Sequence, residues 1–167
     1  MSKQFVSILM GSDSDLPTMQ ACIDVLKNLQ VGYEVYITSA HRTPEDTRNI
    51  IHDAEARGCK VFIAAAGLAA HLAGAVAAHT LKPVIGVPMA GGPLNGFDAL
   101  LSTVQMPGGI PVASVAVGKA GAKNAAYLAA QILSLVDADL SKRVVDEREA
   151  NAQAVRDKNI EVQKSLA

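Results

Sequence analysis

Phe5-Val6-Ser7-Ile8-Leu9-Met10, followed at once by Gly11-Ser12-Asp13-Ser14-Asp15, is the stretch on which the fold turns. Five of the first six residues are apolar, and a run this continuous belongs to a strand covered on both faces; a half-solvated strand would alternate. The glycine and the serine–aspartate cluster end that strand. A helix then follows Pro17 and carries Cys22, Ile23, Val25, Leu26 and Leu29, with Gly32 at the turn out of it. Four more runs have strand length and content, at residues 33–37, 61–66, 83–87 and 111–117. Stretches of helical character separate the first four strands, each long enough for a right-handed parallel crossover. The pattern is βαβαβ, which predicts an α/β protein with a parallel sheet.

The second crossover helix is well marked. Thr43-Pro44-Glu45-Asp46 offers an N-cap hydroxyl, a proline at the first helical position and acidic residues in the first turn, and Gly58 stops it. Ile50, Ile51 and Ala54 form its apolar face.

The chain has 167 residues, half of them apolar and 19% charged, which suits one folded domain over residues 1–167 and excludes disorder. Fifteen basic residues stand against sixteen acidic ones, so there is no electrostatic footprint for nucleic acid. No apolar run suits a membrane span or a signal-peptide core, and Cys22 and Cys59 belong to no ligand or dithiol motif. A cytoplasmic protein is expected. Alanine occurs 28 times and Trp not at all, so tight layers and close helix contacts are expected. From Asp137 onward 13 of 31 residues are charged, against 18 of the first 136. A sparse stripe of Leu140, Val144, Ala152, Val155, Val162 and Leu166 fits residues 137–167 either as a solvated terminal helix or as an arm lying on a neighbouring subunit.

In a parallel sheet the segments after the strands emerge on one edge, where open α/β folds bind ligands. Here they are Gly11 to Asp15, Ser39-Ala40-His41-Arg42-Thr43, Gly67-Leu68-Ala69-Ala70-His71, a loop from Pro88 to Gly96, and Gly118-Lys119-Ala120-Gly121. The first offers hydroxyls and N–H groups at a helix start, suited to a phosphate, while a carboxylate there suits a ribose diol. Helix capping accounts for any one of Ser12, Asp13 and Ser14 but hardly for all three. Ser39, His41 and Arg42 place a phosphate-grade guanidinium beside the side chain best suited to proton transfer near neutrality. His71 faces the same edge, as a site residue or as a satisfied imidazole at a helix start. His79 is poorly placed to share a metal with it, and His52 reads as a surface residue.

Neither G-x-G-x-x-G nor a P-loop nor G-x-S-x-G occurs. What remains is acid–base chemistry on a small phosphorylated, ribose-bearing molecule, with no metal or cofactor called for.

At these residues the chain resembles the PurE family, the class I N5-carboxyaminoimidazole ribonucleotide mutases of purine biosynthesis. The resemblance rests on Gly11 to Asp15, Ser39 to Pro44, Ala69-Ala70-His71-Leu72, Pro83 to Pro88 and Ser102-Thr103-Val104-Gln105-Met106-Pro107, in order over nearly the whole chain. It implies a three-layer αβα fold, flavodoxin-like, with a doubly wound parallel five-stranded sheet and a C-terminal helical arm in a homo-octamer. It also implies an isomerase site with Ser12, Ser14, Ser39 and Arg42 at the phosphate, Asp15 at the ribose, His41 as the proton-transfer residue and His71 near the base. The related direct carboxylases of aminoimidazole ribonucleotide resemble the chain less, because they typically have Lys-Gly where Arg42-Thr43 stand. Two residues depart from the family's habit: Leu68, where glycine is frequent, and Ala73, where proline is frequent. A flavodoxin- or receiver-like binding module shares the architecture, but Ala66-Gly67 stands where a receiver needs its acceptor aspartate, and aromatics for a flavin are scarce.

Overall fold

A computed structural model describes residues 4–166. Five parallel strands, β1 (Phe5–Met10), β2 (Gly32–Ile37), β3 (Cys59–Ala66), β4 (Val84–Pro88) and β5 (Ala113–Ser114), form one sheet in the order β2-β1-β3-β4-β5. The helices are α1 (Leu16–Asn28), α2 (Pro44–Arg57), α3 (Leu72–Ala77), α4 (Phe97–Val104), α5 (Lys119–Ser134) and α6 (Ala138–Leu166). This is the doubly wound three-layer arrangement expected. None of the described helices is long and apolar enough to cross a membrane.

The period of two in each strand sorts the core between the faces. Val6, Ile8 and Met10 of β1 join Val61, Ile63 and Ala65 of β3 against α1 and α5. Leu9, Phe62 and Ala64 go to the opposite layer with Ile51 of α2 and Leu72 and Val76 of α3. Each fully buried large side chain contributes about 1.5–3 kcal/mol relative to exposure. The alanines act as expected on α5, where Ala122, Ala125, Ala126, Ala129 and Ala130 are all buried. Gly121 sets the closest approach, since a Cβ there would fall 1.6 Å from the Ala116 carbonyl oxygen.

Strands one to four lie within two residues of their expected bounds, but the fifth does not. Residues 111–117 read as a strand, yet only Ala113 and Ser114 pair regularly with β4. Pro111 has no N–H to donate, and beyond Ser114 the contact continues irregularly through Val115 N–H to Gly86 O at 3.1 Å and Gly118 N–H to Pro88 O at 2.9 Å. At α2, Gly58 ends the helix as expected, in the left-handed conformation at φ 107°. The Thr43 hydroxyl does not cap it. It accepts the Ser39 N–H at 3.0 Å and so holds the preceding loop instead.

The sheet edge at β2 is clamped by Arg57. Its guanidinium forks onto Glu34, with Nη2 to Oε2 at 2.7 Å, reaches Asp53 at 2.8 Å and lies 5.4 Å from the Phe5 ring centroid. The first half of α6 belongs to the body: Leu140 is buried, Arg143 Nε donates to Leu29 O at 2.8 Å, and Tyr127 OH donates to Glu147 at 3.0 Å. From Glu149 to Leu166 every described residue is exposed.

Candidate active site

The strand order reverses direction between β1 and β3, and a cleft of about 770 Å³ opens there beyond the strand ends. Ser12, Ser14, Asp15, Ser39, His41, Arg42 and His71 line it, whereas Asp13 and the Gly118–Gly121 loop after β5, expected on the same edge, do not. The loops are joined in the order of their strands, and each junction has its own chemistry.

The loops after β1 and β2 meet through serines and one arginine. Ser12, in extended backbone, caps a single 3-10 turn over Asp13–Asp15 that precedes α1. Its Oγ accepts the Ser14 N–H at 3.3 Å and the Ser14 hydroxyl at 2.9 Å, and it donates to Asp13 at 3.2 Å. The capping reading of this segment holds, with Asp13 turned to Ser12, while Ser12, Ser14 and Asp15 line the cleft. Burial pushes the Asp15 carboxyl up from its ordinary value, opposed by the Ser12 N–H and reinforced by Asp13. Arg42 is exposed, its N–H donates to Ser39 Oγ at 3.1 Å, and its guanidinium makes only long contacts, to Ser39 Oγ and Gly11 O at 3.5 Å each. Among the described residues it forms no ion pair. A guanidinium with no ion-pair partner among the described residues, beside two hydroxyls and a helix start, has the chemistry to take an oxyanion.

The loops after β2 and β3 meet through the two histidines. His41 Nε2 and His71 Nδ1 are 2.5 Å apart, their rings edge-on at 71° with centroids 4.7 Å apart. One ring nitrogen donates and the other accepts, so a single N–H···N hydrogen bond joins the two rings in the cleft. Beneath it, Thr38 bonds Thr47 at 2.7 Å and Thr43 at 3.3 Å, a buried hydroxyl brace under the loop that carries His41. Sequence reasoning passed over Thr38 and Thr47 in this role. Their signal was there: polar residues at a strand end and on the inner side of a helix's first turn. Thr18 also lines the cleft and was not anticipated, whereas Met89 belongs to the loop from Pro88 to Gly96 that was expected there.

The remaining wall is small and apolar. Ala66 to Ala69 and Met89 to Gly92 line it, whereas Ala70, expected there, is turned into the core, and Pro93 to Gly96 stand outside. His79 lies past the end of α3 and faces the exposed His52, 6.4 Å between centroids, and not His71. Burial raises the Cys22 thiol to about 12 and the Cys59 thiol to about 11, so neither supplies a thiolate at neutral pH.

A family model described as AIR carboxylase, AIR being aminoimidazole ribonucleotide, matches residues 5–154. The chain belongs to the AIR carboxylase family. Relatives in this family include the N5-carboxyaminoimidazole ribonucleotide mutase of Bacillus subtilis, 54% identical over 90% of this chain and 93% of its own. The Escherichia coli K12 protein of the same name is 51% identical over 90% and 89%. The crystal structure of Treponema denticola PurE superposes with a TM-score of 0.85 at 33% identity, covering 95% of this chain and 98% of that one. The match to AIR carboxylase relatives spans every loop that builds the cleft.

Proposed function

We propose that this protein is an N5-carboxyaminoimidazole ribonucleotide mutase, an isomerase that moves a carboxylate from the exocyclic N5 to C4 of the aminoimidazole. The observation that carries the reading is the hydrogen-bonded His41–His71 pair in one cleft with Arg42, which has no ion-pair partner among the described residues, beside a largely apolar wall.

The ribonucleotide phosphate binds at Ser12, Ser14, Ser39 and Arg42, where the charge and hydroxyls lie. Asp15 accepts the ribose hydroxyls, and this places the base between the histidines and the apolar wall. The N5–carboxylate bond then breaks: N5 takes a proton from His41, and CO2 is released. C4 attacks the CO2, and the proton it sheds on regaining aromaticity returns to His41. No net proton is consumed, so one imidazole serves both halves. His71 accepts or donates the hydrogen bond between the rings and orients the His41 ring. The apolar wall suits CO2, which has no charge to solvate, and keeps bulk water from it.

The same reading places the enzyme in the cytoplasm as a single domain, assembled as a homo-octamer in which the exposed half of α6 lies on a neighbour. His41→Asn tests the central role. It keeps the ring position polar and should bind nucleotide by calorimetry while losing nearly all turnover. Turnover at the unmodified rate contradicts the assignment.

A further inference from the structure

The third junction of the cleft, between the loops after β3 and β4, is made by one side chain. Leu68 is a non-glycine residue in the left-handed region, at φ 55°, where leucine is strained. Its isobutyl group is more than half exposed, so core burial does not hold it there. Two tight turns follow it, Ala70 N–H to Leu68 O at 2.9 Å and His71 N–H to Ala69 O at 2.8 Å, and these deliver His71 to the mouth of the cleft. Across the gap Gly92 also has positive φ, 63°, and a Cβ built on it would lie 2.6 Å from Leu68 Cδ2. Glycine at 92 thus leaves room for Leu68, and both residues line the cleft. Glycine, frequent here in the family the chain resembles, takes this conformation without strain, so leucine at 68 is a departure specific to this chain and one matched by its close approach to Gly92.

We propose that Leu68 is a positioning residue that closes the apolar end of the cleft against Gly92 and so retains CO2 between its release and its recapture. This rests on the mutase reading above. The left-handed backbone throws the isobutyl group across the gap, where it spans the two loops without a polar atom. Shortening it opens a path from the apolar end to solvent. CO2 then escapes, and the turnover ends as aminoimidazole ribonucleotide plus bicarbonate in place of the 4-carboxy product.

The test supplies N5-carboxyaminoimidazole ribonucleotide labelled with 13C in its carboxylate, with carbonic anhydrase present to make escape irreversible. The readout is the ratio of labelled 4-carboxy product to labelled bicarbonate, corrected for spontaneous decay. Leu68→Ala and Leu68→Gly should each raise the escaped fraction severalfold, and Leu68→Met, which keeps a long apolar arm, should restore retention. Gly92→Ala displaces the partner loop and should also raise escape; adding Leu68→Gly removes its clash. A merely structural role would lower kcat or the melting temperature and leave the ratio alone. If the unmodified protein retains label and every variant retains as much, the proposal is overturned and the mutase reading stands. If the unmodified protein yields no labelled product, the mutase reading fails and takes this one with it.

Discussion

Replacing Arg42 by Gln isolates the phosphate end of the site. Among the described residues the guanidinium has no carboxylate partner, and its two internal contacts are 3.5 Å long, so the fold loses almost nothing and the melting temperature should stay in place. What is lost is a fork of charge-assisted hydrogen bonds to a phosphate at a solvent-open mouth. That is worth about 2–3 kcal/mol, or roughly 30- to 150-fold in kcat/KM. The phosphate takes no part in bond making, so its binding is equal in ground and transition states, and the loss should appear in KM with kcat nearly kept. Arg42→Lys keeps the charge without the fork and should fall between, at about tenfold. Steady-state kinetics on N5-carboxyaminoimidazole ribonucleotide at two salt concentrations reads this directly, the unmodified enzyme being the more salt-sensitive. A KM within about twofold of the unmodified value would refute the placement of the phosphate.

Asp15→Asn should weaken substrate binding and flatten the acid limb of kcat/KM, because the raised carboxyl of Asp15 loses its charge sooner than an ordinary one as pH falls. Because ionised Asp15 is penalised in the folded state, the cost is present above its raised folded value and vanishes below its unfolded one. Asn should therefore raise the melting temperature at neutral pH by a margin that shrinks toward about pH 4, and a lower melting temperature at neutral pH would contradict the burial argument. Gly86→Ala puts a Cβ 2.4 Å from Thr103 Cγ2 and 2.9 Å from Val112 Cγ1. It should cost about 2–3 kcal/mol, seen as a fall of roughly 5–10 °C in thermal denaturation; Thr103→Ser should recover part of it. Ending the chain after Ala150 leaves the packed half of α6 in place and should lower the sedimenting mass. An unchanged assembly would favour the solvated-helix reading for the exposed half of α6.

The sheet and the cleft were legible in sequence because parallel strands buried on both faces are apolar without a break, and because their following loops must share an edge. That topology alone brought the loops carrying Ser12, Asp13, Asp15, Ser39, His41, Arg42 and His71 to one edge; the choice of Asp15 over Asp13, and of His71 as a site residue, came from the resemblance to a family. The fifth strand was misjudged because apolar content at a sheet edge does not guarantee pairing, and Pro111 removes a donor where the ladder should begin. Thr43 was assigned to a helix cap because threonine before proline signals one, yet tertiary contacts with Ser39 and Thr38 claimed its hydroxyl. Contacts between loops, such as Leu68 on Gly92, depend on backbone angles that residue type did not foretell. The alanines of α5 pointed only to close packing. That they face α1 and the sheet is a fact of three dimensions.

The most direct measurement adds the purified protein to N5-carboxyaminoimidazole ribonucleotide without ATP, metal or added bicarbonate and follows the 4-carboxy product by ultraviolet absorbance. The account predicts conversion well above the spontaneous background. No conversion, together with product from aminoimidazole ribonucleotide under high CO2, would contradict it and make the protein a direct carboxylase.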